Sequence, residues 1–263
     1  MEQPEQPALP PQVALLWDLR PAPRRSRTAG LNVAAITAAA IRIADAEGLS
    51  GVSMARVAAE LGSAPMSLYR HVDSKDDLLL LMADAALESP PELAGADWRE
   101  RLTAWAFGVL ATFRRHPWYR EIPISGPPVG PRNLEWFDRA LAALADTGLA
   151  EEDKVLVVMG LMPVVHGQAR LSIDLGAGYA ADPEAFGAGF GRALASVVDP
   201  ARFPALSRVI ASGVFGPGGP GGGEEMPPEG YDDFGPEFAF ALSCYLDGVA
   251  GFIERSTGRP SGD

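Results

Sequence analysis

Hydrophobic side chains recur every three or four residues through most of the chain beyond residue 31, which is the spacing of one face of an α-helix. Most of these stretches begin at a capping residue or a proline and end at a glycine or a proline, as helices commonly do. The predicted helices run from Asn32 to Gly48, Ser53 to Gly62, Ala64 to His71, Ser74 to Ala86, Trp98 to His116, Pro131 to Thr147, Glu151 to Leu175, Asp182 to Val198, Pro204 to Ala211 and Pro236 to Arg255. No stretch alternates with period two for long enough to predict a strand. The pattern therefore predicts an all-α protein.

The predicted helices form two groups of different size. Residues 31–78 hold three short helices, enough for a small three-helix bundle, and residues 79–263 hold the longer helices of a larger domain. The proline-rich residues 1–30 show no period beyond a short apolar patch from Val13 to Leu19, so an extended basic arm is expected there. Glycine and proline also crowd residues 213–235, which indicates a flexible loop in the larger domain.

Charge is distributed unevenly along the chain. The formal net charge is −12, yet between Arg20 and Lys75 eight basic residues stand against four acidic ones. A basic N-terminal segment on an acidic remainder is what a DNA-binding head on a larger body would show, because only the head has to meet phosphates. On charge alone, ordinary variation along the chain is an equally good interpretation.

Cysteine content and hydropathy bear on the compartment. With Cys244 as its one cysteine, the chain cannot form an internal disulfide or a cysteine-based metal cluster, which favours a reducing compartment. The longest apolar run, from Val155 to Val165, is about half as long as a membrane span requires and contains Pro163. We therefore expect a cytoplasmic protein without membrane contact. No motif predicts a metal or another cofactor.

The segment from Ser53 to Lys75 contains the most specific motif. Its two short predicted helices are joined through Gly62, which is the arrangement of a helix-turn-helix, whose second helix enters the major groove of DNA. Leu68 and Val72 are predicted to face the other helices. The outward positions of the second helix are then Pro65, Met66, Ser67, Tyr69 and Arg70. A pair of helices that merely packs is the alternative to a DNA-binding motif.

This segment, SMARVAAELGSAPMSLYRHVDSK, strongly resembles the DNA-binding domain of the tetracycline-repressor (TetR) family of bacterial regulators. The stretch LYRHV at 68–72, followed by Ser74 and Lys75, is its most characteristic part. The resemblance is specific from about residue 33 to 82, and HPW at 116–118 and GL at 148–149 resemble the helical bodies of one branch of the family. It implies a dimeric regulator, most simply a repressor that a small-molecule effector releases from a palindromic operator.

Sequence readout is expected from four outward positions. Ser67 can hydrogen-bond a base edge, Met66 can touch a thymine methyl group, and Arg70 can reach a guanine or a phosphate. Pro65 stands where the tetracycline repressors have a glutamine, and Ala55 stands where they have an arginine. The operator is therefore expected to differ from theirs.

Phosphate contacts are expected from a second set of residues. The family's matching positions imply this role for Tyr69, His71 and Lys75, which would orient the protein without reading sequence. Ser53 can place its hydroxyl and backbone N–H on a phosphate at the start of its helix. Arg56 is a further candidate, although a solvated surface side chain is the plainer interpretation of it.

The resemblance also implies an effector pocket inside the larger domain. Such sites are mostly apolar with a few polar anchors. His166 lies on one stripe of the long predicted helix with Met159 and Met162, and a histidine on an apolar stripe is either a core residue or a ligand contact. The expected lining is Trp105, Val109, Trp136, Phe137, Met159, Met162 and His166. Any of these side chains can equally be core.

Small side chains follow one stripe of the last predicted helix. Ala241, Cys244, Gly248 and Gly251 are spaced by three, four and three residues, with a stripe of large side chains, Tyr245 and Phe252 among them, beside it. A small stripe lets another backbone approach closely, and a glycine within a helix is unfavourable unless some contact offsets it. We therefore expect this helix, with part of the helix from Glu151 to Leu175, to pair with its symmetry mate in the four-helix interface of a homodimer. Packing of the same stripe within one chain is the alternative.

Two other classes of function stay open at this point. One is a small helical enzyme that uses a pocket of the larger domain, and the other is a DNA-binding protein that responds to no effector. No nucleophile elbow and no paired-carboxylate motif supports catalysis. The sequence therefore favours a DNA-binding regulator over an enzyme.

Overall fold

The computed structural model describes residues 10–19, 31–90, 92, 95–123, 128–182, 188–215 and 235–258, and every regular element within these ranges is a helix. The α-helices are α1 (Pro11–Leu16), α2 (Val33–Glu47), α3 (Met54–Glu60), α4 (Pro65–Leu68), α5 (Lys75–Ala85), α6 (Trp98–Arg115), α7 (Pro131–Ala143), α8 (Glu151–Ala181), α9 (Ala188–Val197), α10 (Pro204–Ala211) and α11 (Gly235–Thr257). Short 3-10 helices lie at Leu49–Gly51, Pro117–Glu121 and Ala145–Thr147. The all-α prediction is confirmed.

Contacts divide the chain into two compact units, residues 1–166 together with 242–263, and residues 167–241. In the first unit we call α2 to α5 the head, and the elements from α6 onward the body. In the second unit α9 packs on α10, and the rings of Phe190 and Phe215 meet edge to face with centroids 5.6 Å apart. Residues 183–187 and 216–234, which include most of the predicted glycine-rich loop, lie outside the described residues.

Capping side chains define where the helices of the head begin. Asn32, Ser53 and Ser74 each accept a hydrogen bond from the backbone N–H three residues further on, at 2.8, 3.1 and 3.0 Å respectively. Each bond satisfies an N–H that has no partner within its own helix. Gly48 follows α2 and Gly62 follows α3, with φ of 75° and 60°, a conformation that glycine adopts without strain. The predicted caps and turns of the head are thus present.

The head packs around one apolar core to which residues from outside it also contribute. Ile36, Val57, Leu68 and Val72 are fully buried there. Leu15 from α1 and Trp118 from the turn after α6 belong to the same core. The head is therefore anchored to the rest of the first unit through its hydrophobic interior.

Helix α1 corrects the expectation of an extended arm at residues 1–30. Six residues of that segment are helical, Pro11 stands at the first helical position, and Leu15 is only 3% exposed. A six-residue helix is unstable alone, so burial of Leu15 against the head, where α1 packs on α5, accounts for it. Residues 20–30, with the basic cluster of the predicted arm, lie outside the described residues.

Helix α8 is longer than the sequence pattern predicts. It runs without interruption through Pro163 to Ala181, and its stretch 151–178, which contains an 18-residue segment with a mean hydropathy of 1.3, is long and apolar enough to cross a membrane. Buried Val158, Leu161 and Val165 show that one side of α8 is a core side, as in helices of soluble proteins, which meet the same criteria.

Candidate functional site

The helix-turn-helix consists of α3, the turn through Gly62, and α4. Helix α4 is shorter than the predicted segment from Ala64 to His71, because regular α-helix ends at Leu68 and a hydrogen-bonded turn continues to Val72. Leu68 and Val72 are both fully buried in the core of the head, as predicted. Their burial fixes which side of α4 faces solvent.

The outward side of α4 presents the predicted base-reading residues together. Met66 is 72% exposed and Tyr69 42%, which is unusual for large apolar side chains in a well-packed head. Pro65 and Arg70 are exposed as well, and Ser67 is half-buried. The phosphate candidates His71 and Lys75 follow on the same segment, His71 half-buried and Lys75 exposed. We call these outward residues together the α4 surface.

Arg56 has a different environment from the one expected for a phosphate contact. Its guanidinium pairs with the carboxylates of Glu47 at 2.7 Å and Glu60 at 3.3 Å. Hydrogen bonding to Glu47, followed by the charge of the same carboxylate, raises the pKa of Arg56 above its ordinary value. The positive charge of Arg56 is thus already balanced by two carboxylates, and the pair with Glu47 connects α3 to the end of α2. Ser53, in contrast, accepts its capping bond and keeps its O–H as a donor.

Two tryptophans predicted to line an effector pocket are buried where α6 and α7 pack. The rings of Trp105 and Trp136 lie edge to face with centroids 6.1 Å apart, and each is at most 5% exposed. The indole of Trp105 donates to the Trp136 carbonyl at 2.8 Å, and that of Trp136 donates to the Glu88 carbonyl at 2.7 Å. Because both indole N–H groups are used internally, these rings can offer a ligand only apolar surface. Val109 is buried beside them on α6, and Phe137 is half-buried on α7.

His166 lies against an aromatic ring that the sequence analysis did not select. Its imidazole meets Phe113 edge to face, with centroids 4.9 Å apart, and Phe113 in turn meets Tyr119 at 5.1 Å. Burial lowers the pKa of His166 below its ordinary value, so the imidazole is neutral at physiological pH. Phe113 follows Val109 by one helical turn, which was the signal available in the sequence.

Met159 separates from the other predicted pocket residues. It is 48% exposed and shares the outer side of α8 with Leu156, which is 66% exposed, whereas Met162 and His166 are half-buried. The residues that face the core are one step around the helix, at Val158, Leu161 and Val165. The predicted stripe was thus rotated from the true buried side, and Met159 does not point into the body.

Two partly buried contacts join head and body through carboxylates that the sequence analysis missed. Asp45 at the end of α2 accepts from His116 Nδ1 at 2.7 Å and from Trp118 Nε1 at 2.6 Å. Asp84 on α5 accepts from the first turn of α7. Burial, and then the charge of Asp84, raise the pKa of nearby Tyr119 to about 12. An acid within the apolar run of α5 was the available signal for Asp84.

The small stripe of α11 is open to solvent within one chain. Gly248 and Cys244 are exposed, and a Cβ built at Gly248 meets no described atom within 4 Å. Ala241 and Gly251 are half-buried. The described residues therefore leave the centre of this stripe uncovered, as an interface between chains requires.

Tyr245 and Phe252, predicted beside the small stripe, lie further inward. The Tyr245 hydroxyl donates to the Val157 carbonyl of α8 at 2.6 Å, and a Cβ at Gly160 would come within 2.5 Å of that hydroxyl. Burial raises the pKa of Tyr245 above its ordinary value. Tyr245 thus packs α11 on α8 of its own chain, and Phe252 is half-buried.

A helix-turn-helix head on a larger all-helical body is the architecture of a DNA-binding transcriptional regulator. Comparison with known proteins supports this class over most of the chain. The sequence profile of bacterial regulatory proteins of the tetR family matches residues 36–82, and that of the tetracyclin repressor-like C-terminal domain matches residues 89–252. The chain belongs to the TetR family. It is a regulator and not an enzyme, so the helical-enzyme alternative is wrong.

Individual relatives are similar over nearly their full length. The transcriptional repressor DrrR1 of Streptomyces coeruleorubidus is 35% identical over 254 residues, covering 93% of this chain and 86% of the relative. The repressor Rv1353c of Mycobacterium tuberculosis is 26% identical over 252 residues, with 90% and 87% covered. Among solved structures, ActR of Streptomyces coelicolor in complex with actinorhodin has a TM-score of 0.67 and 27% identity, covering 85% of this chain and 98% of that chain.

Proposed function

We propose that this protein is a homodimeric repressor that holds a pseudo-palindromic operator through the α4 surface and releases it when a largely apolar small molecule binds the body. The observation that carries the DNA-binding part is the α4 surface itself, where Met66 and Tyr69 are exposed while Leu68 and Val72 are buried. The protein acts in the cytoplasm, where the operator is accessible, and without membrane contact.

Division of labour on the α4 surface follows from side-chain chemistry. Met66, Ser67 and Arg70 read base edges, with Pro65 setting the start of the helix. Tyr69, His71 and Lys75, with the hydroxyl of Ser53, hold phosphates. Arg56 supports the head through its two carboxylate partners instead of meeting DNA.

Selection of binding sites from a pool of random DNA tests this operator binding. A gapped inverted repeat with half-sites about 34 Å apart, one turn of DNA, is the expected result for two α4 surfaces in a dimer. Diffuse enrichment of AT-rich DNA would instead support an architectural protein that responds to no effector. Absence of any enrichment would contradict sequence-specific binding.

The effector proposal rests on the character of the buried aromatic wall. Trp105, Trp136 and Val109 present apolar surface only, and His166 adds one neutral polar group next to Phe113. Phe137 directly follows Trp136 on α7, Met162 precedes His166 by one turn of α8, and both side chains are half-buried. Such a wall suits a planar, mostly apolar molecule with few polar groups. ActR, a relative of the same fold, was crystallised with actinorhodin, which makes that compound a sensible first probe.

Binding of the probe is measured in two ways, by thermal stabilisation of the free protein and by release of the selected operator. We expect actinorhodin, or a related aromatic compound from a small panel, to do both. His166→Phe keeps a ring against Phe113 but removes the polar nitrogen atoms, so it should weaken release and leave operator affinity unchanged. Release by the variant at the same effector concentration as wild type would remove His166 from the effector site.

The dimer is proposed to form through the uncovered side of α11 and the outer side of α8. Exposed Cys244 and Gly248 lie on α11, and exposed Leu156 and Met159 lie on α8. Tyr245 holds the two helices together within one chain, so both present their outer sides as one surface. Pairing of this surface with its symmetry mate makes an isologous four-helix interface.

A further inference from the structure

Helix α7 begins without a capping side chain of its own. Its N-cap is Gly130, which has no side chain to satisfy the free N–H groups of the first turn. The cap comes instead from Asp84 on α5. Asp84 Oδ1 accepts from the backbone N–H and from the side-chain amide of Asn133, both at 3.0 Å, and Oδ2 accepts from the Arg132 N–H at 3.3 Å. A helix of the body is thus capped by a residue of the head.

Gly130 is needed for this contact and not for its own backbone conformation. Its φ and ψ of −77° and 149° are ordinary for any residue. A Cβ at this position, however, would overlap the Asp84 carboxylate. The absence of a side chain at 130 therefore makes the space in which the carboxylate reaches the first turn of α7.

The contact is strong because of where it lies. Asp84 is only 6% exposed, so solvent screens its charge weakly, and a negative charge at a helix N-terminus is stabilised by the helix dipole. All three donors belong to one turn of α7, which gives the contact a defined direction. Asp84 thus fixes the angle between α5 and α7 as well as their distance.

We call the contact between Asp84 and the first turn of α7 the joint. A second hydrogen bond at the joint comes from the N-terminal segment. The indole of Trp17 donates to the carbonyl of Val129, next to Gly130, at 2.9 Å. Trp17 directly follows α1, whose Leu15 is buried in the core of the head. Asp84 of the head and Trp17, which follows a helix packed on the head, therefore both hold the start of α7.

Helix α5 connects the joint to the α4 surface, because it carries Asp84 and directly follows the recognition segment. It begins at Lys75, three residues beyond Val72, and packs on α2 within the head. Rotation of α5 on the body would therefore carry the α4 surface with it. Operator binding by a dimer requires one particular separation of the two recognition helices, so the angle of the head decides the fraction of molecules that can bind.

We propose that Asp84 is a positioning residue for operator recognition, which acts by capping α7 from α5 and so holds the head at the angle at which the α4 surface meets DNA. Trp17 reinforces the same joint. The proposal rests on operator binding through the α4 surface and adds the element that sets its geometry.

The distance between head and body tests this directly and needs no DNA. Spin labels are placed on cysteines at two exposed positions, Ala59 on α3 and Ala145 in the body, in a chain whose Cys244 is replaced by serine. Labelled chains are diluted with unlabelled ones so that each dimer carries one pair. Electron–electron resonance then gives the distribution of head-to-body distances, and operator affinity is measured on the DNA recovered from the random pool.

Two variants disturb the joint and one matched variant does not. Asp84→Ala removes the carboxylate, and Gly130→Ala displaces it at a position where the backbone accepts alanine. Asp97→Ala removes a cap that acts within one helix, since Asp97 directly precedes α6 and its Oδ1 accepts from the Glu100 N–H of that same helix at 2.8 Å. We expect both joint variants to broaden the distance distribution and to weaken operator binding about tenfold, as a fall of the competent population to about a tenth implies.

Three results would decide against the proposal. The first is an unchanged distance distribution in a folded Gly130→Ala or Asp84→Ala protein, and the second is a broadened distribution with unchanged operator affinity. The third is an equal effect of Asp97→Ala, which would mean that loss of any helix cap suffices. Thermal melting shows whether each variant folds. If Asp84→Ala fails to fold, the distance distribution and operator affinity of Gly130→Ala decide for or against the proposal. If wild type selects no DNA while its distance distribution is narrow, the operator proposal fails separately from the joint.

Discussion

Arg70 and Lys75 are exposed cations of the head that make no ion pair with another described residue, but they differ in what they can contact. Lys75 is a point charge suited to a phosphate, so Lys75→Ala should weaken binding to all sequences alike and lower the salt slope by about one. Arg70 can bond two atoms of one guanine, so Arg70→Ala should cost about 1–3 kcal/mol and relax the preference at one base pair. Titrations of the selected operator and its single-base variants over a range of salt measure both.

Two further arginines serve as controls for this pair. Arg139→Ala removes the same charge from an exposed position on α7 in the body and should leave affinity and salt slope unchanged. Arg56→Ala should lower the melting temperature slightly and leave the salt slope of DNA binding unchanged, because Arg56 is paired with Glu47 and Glu60. If Arg70→Ala weakened all sequences equally, Arg70 would be a phosphate contact.

His166 makes the stability of the body depend on pH. Burial lowers its pKa in the folded chain, so as the pH falls through about 6.5 the unfolded chain takes up a proton that the folded chain does not. The folded state is therefore destabilised as the pH falls through this window. We expect His166→Phe to show a smaller drop in melting temperature than wild type between pH 7.5 and 5.5. His71→Gln, at a half-buried position of the head, is the control, and an equal drop in His166→Phe and wild type would contradict the argument.

The outward residues of α4 were predictable because they depend only on local periodicity. Leu68 and Val72 are a turn apart, and their burial leaves Met66 and Tyr69 outside. The partners of Arg56 and Asp84 were not predictable in the same way. Glu47 lies nine residues from Arg56, and Asn133 lies 49 residues from Asp84. Contacts at such separations depend on how helices pack, which the periodicity of one helix does not contain.

At the scale of helices, Gly248→Leu tests the dimer surface of α11. A side chain at this position meets no described atom of its own chain, so the substitution should leave the fold of one chain intact. In the proposed interface the added leucine would separate two closely packed backbones. We expect a monomer by light scattering, unchanged helical content by circular dichroism, and loss of operator binding.

Ser243→Leu is the matched substitution for that test. Ser243 is exposed on the same helix but lies off the stripe of Ala241, Cys244 and Gly248, so the variant should remain a dimer. A dimeric Gly248→Leu protein would place the interface elsewhere. Monomers from both variants would point to general damage to α11 instead of to the small stripe.

The helices were predicted to different degrees for a physical reason. Those with their own caps and periodic apolar faces, such as α2 and α6, begin where the sequence indicates. Helix α1 has only six residues and no side-chain cap, so its stability comes from burial of Leu15 against the head. The rotation error on α8 has a similar origin, because a helix with apolar residues on most sides has no single face that the pattern can select.

At the scale of the whole molecule, opposing charges govern the approach to DNA. A net charge of −12 repels phosphates, and the basic residues that offset it are concentrated near the head. Arg20, Arg24, Arg25 and Arg27 precede α2, where a basic segment can add contacts to the backbone or the minor groove. The other interpretation of these arginines is a segment that only improves solubility.

Replacement of the four arginines by glutamine separates these interpretations. Deletion of residues 1–27 would not do so, because it also removes α1, with buried Leu15, and the Trp17 hydrogen bond to Val129. If the segment contacts DNA, the glutamine variant should bind the operator more weakly at low salt, with a salt slope reduced by up to about four, roughly one for each lost phosphate contact. The two proteins should converge in affinity at high salt, where screening removes the advantage. Equal affinities at low salt, with equal melting temperatures, would assign the four arginines to solubility alone.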